Sequence, residues 1–222
     1  MASVLEVGFD ASGAANAGAR GRVVCVVDVI DAATSAEAAV ANGAHAVLGA
    51  SPAEARVPVA VDPSAVGSRA AALAQEAGSG VVIVAEPRVG PKERRVASAR
   101  PVLEAIADAA VDAELVANQG AELPAITRPA GRVIVVVSAT GGTAYDAALL
   151  AGAPGVCFAT TARVKGHSGW EVARLGAERA AALAVEHGAG LSIVAASANS
   201  TDDCLAAFEL ARILLQEGQL RR

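Results

Sequence analysis

The stretch RVVCVVDVIDAATSAEAAVANGAHAVLGA, residues 22–50, decides the fold. It opens as a β-branched apolar run, meets one acid at Asp28 and a second at Asp31, continues as an alanine-rich segment of helical length, stops at Asn42 and Gly43, and resumes as a short apolar run. Strand, polar turn, helix, stop and strand in that order read as a βαβ unit with parallel strands. A strand that is apolar at every position, rather than at every second one, belongs in a sheet covered on both faces.

The same signature recurs along the chain. Further apolar runs are VVIVAE (81–86), RVIVVVS (132–138), GVCFATT (155–161) and LSIVAAS (191–197). Between them lie Ala-, Leu- and Glu-rich segments of helical spacing, SRAAALAQEAG (68–78), RPVLEAIADAAVDAEL (100–115), GWEVARLGAERAAALAVEHG (169–188) and CLAAFELARILLQEG (204–218), several closed by the glycine expected just past a helix. This alternation predicts an α/β protein, a three-layer α/β/α arrangement with mostly parallel sheets. RVIVVVSATGGTAYDAALLAGAPGVCFA (132–159) repeats the opening stretch with one residue fewer in its turn, so the chain reads as two similar halves, 1–125 and 126–222, joined near PAITRPAG (124–131). Asp28 and Ser138 then stand at matching strand ends, where open α/β sheets take their ligands.

Composition removes several function classes. With 18 Lys and Arg against 23 Asp and Glu the net charge is −5, and the one basic cluster, PKERR (91–95), is short, so nucleic acid is not an expected partner. Aromatic residues make up 2% of the chain, too few for a base-stacking platform. No run reaches the roughly 20 apolar residues of a membrane span, and the acidic start MASVLEVGFDASG is unlike a secretory leader, which predicts a cytoplasmic protein without membrane contact. Cys25, Cys157 and Cys204 lie far apart in apolar surroundings and read as reduced core residues. A hydrophobic fraction of 54% suits a homodimer.

Candidate chemistry collects in the turns. Asp28 and Asp31, three residues apart, could hold a hard cation such as Mg²⁺ or could bond turn amides and cap a helix. An acid ending so apolar a strand is costly to desolvate unless something compensates it. Glu86, another carboxylate at a strand end, could join Asp28 around a metal. The turn SATGGTAYD offers Ser138, Thr140, Gly141, Gly142 and Thr143 as hydroxyls and amides for an anion, or simply as a tight strand-to-helix turn. ARVKGHSGW gathers Arg163, Lys165 and His167, which suit a phosphate or carboxylate, or a solvated loop. Asp202 and Asp203 read as helix-capping acids. The expected partner is a small anionic molecule.

With these residues in view, VVDVIDAATSAEAAVANGA resembles the 2-phosphosulfolactate phosphatase family, whose pattern runs V-[VI]-D-V-L-R-A-T-[ST] and then A-N-G-A. AEPRVG is similar to that family's G-E-R-x-G turn, VSATGGTAYDA to its T-T-x-N-G-T-x-A turn, and STDDCLAAFELA to its C-terminal acid-then-helix segment. The resemblance implies a Mg²⁺-dependent hydrolase that releases phosphate from a small phosphorylated acid, with Asp28 as the essential acid, nucleophile or metal ligand, and with Glu86, Gly142 and Thr143 lining the site. Asp31 stands where the family pattern has arginine, Ala33 where it has threonine and Gly141 where it has asparagine. Replacing a cation by an anion at position 31 repels a bare phosphate dianion. A phosphatase built on this sequence therefore needs the metal to bridge, with Arg163 or Lys165 supplying the missing cation. The alternative is a divergent, non-catalytic protein that binds a small ligand on the same fold.

Overall fold

Strands apolar on both faces need cover on both faces, and the chain is arranged to provide it. A computed structural model describes residues 4–216. Its strands are β1 (Leu5–Phe9), β2 (Val23–Val27), β3 (Ala46–Ala50), β4 (Val81–Ala85), β5 (Ala113–Ala117), β6 (Val133–Val137), β7 (Val156–Ala159) and β8 (Leu191–Ala195). The helices are α1 (Asp10–Ala19), α2 (Ala32–Ala41), α3 (Pro63–Glu76), α4 (Lys92–Ser98), α5 (Arg100–Asp108), α6 (Leu123–Ile126), α7 (Gly141–Leu150), α8 (Gly169–Glu186) and α9 (Thr201–Gln216). The strands form two four-stranded sheets, ordered β1-β8-β2-β7 and β3-β6-β4-β5, and every pairing is parallel.

The two sheets are related by the duplication. Read from one edge, β7-β2-β8-β1 in the first matches β3-β6-β4-β5 in the second, so β2 corresponds to β6 and β8 to β4. Each half of the duplication crosses from one sheet to the other. By the same matching β1 corresponds to β5 and β3 to β7, so the repeated unit runs β1 to β4 and again β5 to β8: β1 and β2 lie in the first sheet with β3 and β4 in the second, while β5 and β6 lie in the second with β7 and β8 in the first. Helices α2 and α7 make these crossings and lie between the sheets, α2 against β3, β6 and β7, and α7 against β2, β3 and β7. α8 and α9 cover the outer face of the first sheet, and α3, α4 and α5 that of the second. Each sheet is therefore the middle of an α/β/α sandwich, with the inner helical layer shared.

Small side chains let that inner layer fit. Ala32, Ala33, Ala36, Ala38 and Ala39 of α2 are all buried, as are Gly141, Gly142, Ala144, Ala147 and Ala148 of α7. Each crossing helix also makes one hydroxyl contact to the strand end beyond it: Thr34 to Thr160 at 3.2 Å, and Thr143 to Ser51 at 3.1 Å. These are equivalent positions of the two halves, and the pairing is reproduced in both.

Two stretches depart from their expected structure. RPVLEAIADAAVDAEL was expected as one helix over 100–115, but α5 stops at Asp108, Ala110 takes a left-handed backbone (φ 54°), and the remainder forms edge strand β5. The N-terminal LEVGF, read only for its lack of a leader, is edge strand β1. Gly218, taken as the stop of the last helix, lies outside the described residues. Among the described residues no helix is long and apolar enough to cross a membrane.

The tightness of the inner layer can be tested at its glycines. A Cβ on Gly142 would lie 2.3 Å from the Ala50 carbonyl oxygen and 2.9 Å from that of Val136, both backbone atoms that cannot swing aside. Gly142→Ala is expected to cost about 2 to 3 kcal/mol and to lower Tm by roughly 5 to 10 °C. Gly13→Ala in α1, whose nearest atoms stand at 3.4 and 3.5 Å, should instead gain up to about 1 kcal/mol from helix propensity. Calorimetric melts of the two variants check the contrast.

Candidate functional site

Parallel strands end together, and three of these ends carry the polar residues singled out from the sequence. Asp28 follows β2, Glu86 follows β4 and Ser138 follows β6. Since Ala85 and Val137 are register partners, Glu86 and Ser138 leave adjacent strands side by side. Asp28 comes from the other sheet and reaches the same place by hydrogen bonds.

Asp28 is 2% exposed, and both its oxygens are engaged. Its Oδ2 accepts from the Thr140 hydroxyl at 2.7 Å and from the Gly141 amide at 2.8 Å, while Oδ1 accepts from the Asp31 amide at 3.1 Å. The acid thus caps α7 from the other sheet and closes its own turn into α2. That turn is held from behind as well, because the Val29 amide donates to Asp203 Oδ1 at 2.8 Å. Asp203, expected as a cap of α9, holds that turn instead: the Ser200 hydroxyl accepts from the Asp203 amide at 3.2 Å, and the Asp203 carboxylate takes the Val29 amide. Burial, with some help from Asp28, pushes the Asp203 carboxyl up to about 6.

The SATGGT turn is tied up in the same way. The Gly141 amide goes to Asp28, the Gly142 amide to the Ser138 hydroxyl at 2.9 Å, and the Thr143 amide and hydroxyl to the Ser138 carbonyl at 3.1 and 3.2 Å. A Cβ on Gly141 would sit 2.6 Å from Asp28 Oδ2, so the glycine is what allows the carboxylate to approach. The amides expected to cradle an anion are committed to protein partners.

The open space lies alongside. A cleft of 390 Å³ is lined by Asp31, Glu54, Glu86, Arg88, Ser138 and Ala139, among others. Burial first, and then the charges of Asp31 and Asp28, push the Glu86 carboxyl up to about 7, against a contact from Asn118 Nδ2 at 3.3 Å. Asp31 is likewise raised, by burial and by Asp28, with Arg88 opposing. The Arg88 guanidinium stands 4.0 Å from the Asp31 carboxylate and is held there by two carbonyls, Asn118 at 3.0 Å and Ile30 at 3.3 Å. The cation facing position 31 thus comes from Arg88. Arg163, Lys165 and His167, the residues expected to fill that role, line a separate cleft of 320 Å³ beside Ala121 and Glu122.

For a metal, the donors lining the first cleft are the Asp31, Glu54 and Glu86 carboxylates with the Ser138 hydroxyl, while three protein donors already engage Asp28. Among the described residues no three His, Cys, Asp or Glu side chains form a ready-made metal cluster. Two carboxylates that repel one another still suit Mg²⁺, which keeps several waters and seldom takes an all-protein cage. Sequence reasoning did not single out Arg88, Asn118, Glu54 or the tie made by Asp203. Only Arg88 carried a signal, two residues after Glu86 in AEPRVG. No protein-family model matches the chain, and no curated protein matches it either.

Two outcomes follow from this geometry. Asp28→Asn replaces one acceptor oxygen by a donor facing N–H and O–H groups, and should cost about 3 kcal/mol in urea denaturation, against about 1 kcal/mol for Thr140→Val. Asp146 of α7 is a third buried acid, accepting from the Ser51 amide at 3.1 Å and the Asp62 amide at 2.7 Å, and the carboxyls of Glu86, Asp146 and Asp203, raised to about 7, 6 and 6, hold protons in the folded chain that the unfolded chain has released. Their contribution is fully favourable below about pH 4 and is lost as pH rises through their folded values. Tm should therefore fall between pH 5 and pH 7.5, and a rise over that interval would contradict the assignment.

Proposed function

We propose that the protein is a Mg²⁺-dependent phosphatase acting on a small phosphorylated acid, the activity implied by its resemblance to the 2-phosphosulfolactate phosphatases. The observation that carries this reading is the grouping of Asp31 and Glu86 with the Arg88 guanidinium in one cleft at the carboxyl ends of the strands. Asp31 and Glu86 would hold the metal, with the Ser138 hydroxyl beside them. Bound there, Mg²⁺ supplies charge that offsets the carboxylates and polarises a phosphoryl oxygen. Arg88 presents a planar fork suited to a phosphate or carboxylate oxygen pair, and so takes over what the family's motif arginine would contribute at position 31. Asp28 is a positioning residue in this reading: it fixes the turn that aims Asp31 into the cleft.

One observation favours a second reading, a small-anion-binding protein without catalysis. Asp28, the acid that the resemblance makes essential, has no oxygen left without a protein donor.

The deciding measurement is phosphate release from a panel of three-carbon phosphorylated acids with Mg²⁺. Turnover is expected, falling roughly tenfold to a hundredfold in Asp31→Asn, Glu86→Gln and Arg88→Met, the worth of one charge-assisted contact each. Binding of these acids without release would select the second reading, and release unchanged in all three variants would remove the cleft from consideration. Independently of turnover, the metal must displace the proton on Glu86, held near pH 7. Calorimetric Mg²⁺ affinity should therefore rise by up to about tenfold per pH unit below 7 and level off above it.

A further inference from the structure

A second polar site lies away from this cleft, where β7 forms the open edge of the first sheet. Cys25 of β2 and Cys157 of β7 are direct register partners, so their side chains leave the same face of neighbouring parallel strands. Register partners in such a ladder stand roughly 4.8 Å apart, within the span of about 4.4 to 6.8 Å between Cα atoms that a disulfide bridges. The two thiols differ in access: Cys25 is fully buried, whereas Cys157 is partly exposed. Cys157 opens on a cleft of 250 Å³ lined by Glu37, Val40, His45, Val47 and Arg179. The Arg179 guanidinium is fixed there by its ion pair with Glu37 and by the Phe158 carbonyl at 3.1 Å. The neighbouring Cys25 thiol first, and then Arg179, hold Cys157 below the usual thiol range, while Cys25 is pushed up by the adjacent Cys157 and by burial.

We propose that Cys157 is a thiol-exchange site at which a low-molecular-weight disulfide is attacked, with Cys25 behind it as the resolving thiol. The reaction balances in two steps. The Cys157 thiolate attacks one sulfur of R–S–S–R; a Cys157–S–S–R bond forms, the old S–S bond breaks, and R–S⁻ leaves with its electron pair. Cys25 then gives its proton to that departing thiolate and attacks the Cys157 sulfur, expelling the second R–S⁻. The second R–S⁻ takes from solvent the equivalent of the proton that Cys157 released on becoming a thiolate, so the net result is a Cys25–Cys157 disulfide, with one R–S–S–R reduced to two thiols. A buried thiol lying against a more exposed one that is favoured as thiolate is the arrangement this chemistry needs.

The test uses the full chain carrying Cys204→Ser, which removes the third thiol, with oxidised glutathione as probe and intact mass and peptide mapping as readouts. The two remaining thiols should disappear together into one intramolecular disulfide. With Cys25→Ser added, the reaction should stop at one glutathione per chain, mapped to Cys157. With Cys157→Ser added, the folded chain should not react. Adduct mapped to Cys25, or reaction seen only after unfolding in urea, would overturn the proposal. A melting curve for each variant establishes that it is the folded chain that is tested.

Discussion

The carboxylate of Asp28 joins what the topology would otherwise leave apart. It is the last group of a strand in one sheet, and its two strongest partners belong to the turn after a strand in the other. One buried acid therefore satisfies the start of α7, closes the turn into α2 and brings the ends of two sheets together. Its burial is tolerable because each oxygen has a donor, the condition under which a charge can leave water. The cost falls on sequence freedom, since Gly141 must lack a side chain for the carboxylate to approach.

Holding Asp28 there has an electrostatic price for its neighbours. Asp31 and Glu86 are both raised in part by its charge, and Arg88 alone opposes that effect at Asp31. An acid cluster of this kind is unfavourable for folding and favourable for binding a cation, because the repulsion stored in the free protein is relieved when positive charge arrives. The acid at position 31 and the presence of Arg88 belong to the same account. A guanidinium reaching in from the end of β4 stands 4.0 Å from the Asp31 carboxylate, so an acid at 31 gains a partner.

What could be read from the sequence followed periodicity. β2, β4, β6 and β8 are buried at every residue, and a continuous apolar run has few alternatives in a parallel sheet. The matching of Asp28 with Ser138 was legible because the two turns are copies. β5 was missed because AELVA follows a helix with neither Pro nor Gly between them, and the break falls at Ala110, whose left-handed backbone leaves no mark in the composition. Sheet membership was also beyond local pattern, since long-range packing sends β2 and β3 to different sheets. The site inherits that limit. Whether Arg88 or the Arg163 to His167 loop faces Asp31 depends on which strand ends meet, and a one-dimensional pattern does not carry it.

The crossing of the halves bears on how the chain is made. The second sheet uses β3, β4, β5 and β6, which are consecutive, so it can close as soon as residue 137 is synthesised. The first sheet cannot. β1 pairs along its whole length with β8, from Leu5 with Leu191 to Phe9 with Ala195, so β1 waits until β8 has been made. Closing so long a loop adds only slowly to the entropic cost, but it delays the contacts that repay it. During that delay β2 stays without either of its neighbours, and its apolar length is exposed to other chains. The duplication that builds a site between two sheets thus also gives the nascent protein a long vulnerable interval, during which a holding chaperone has a defined segment to cover.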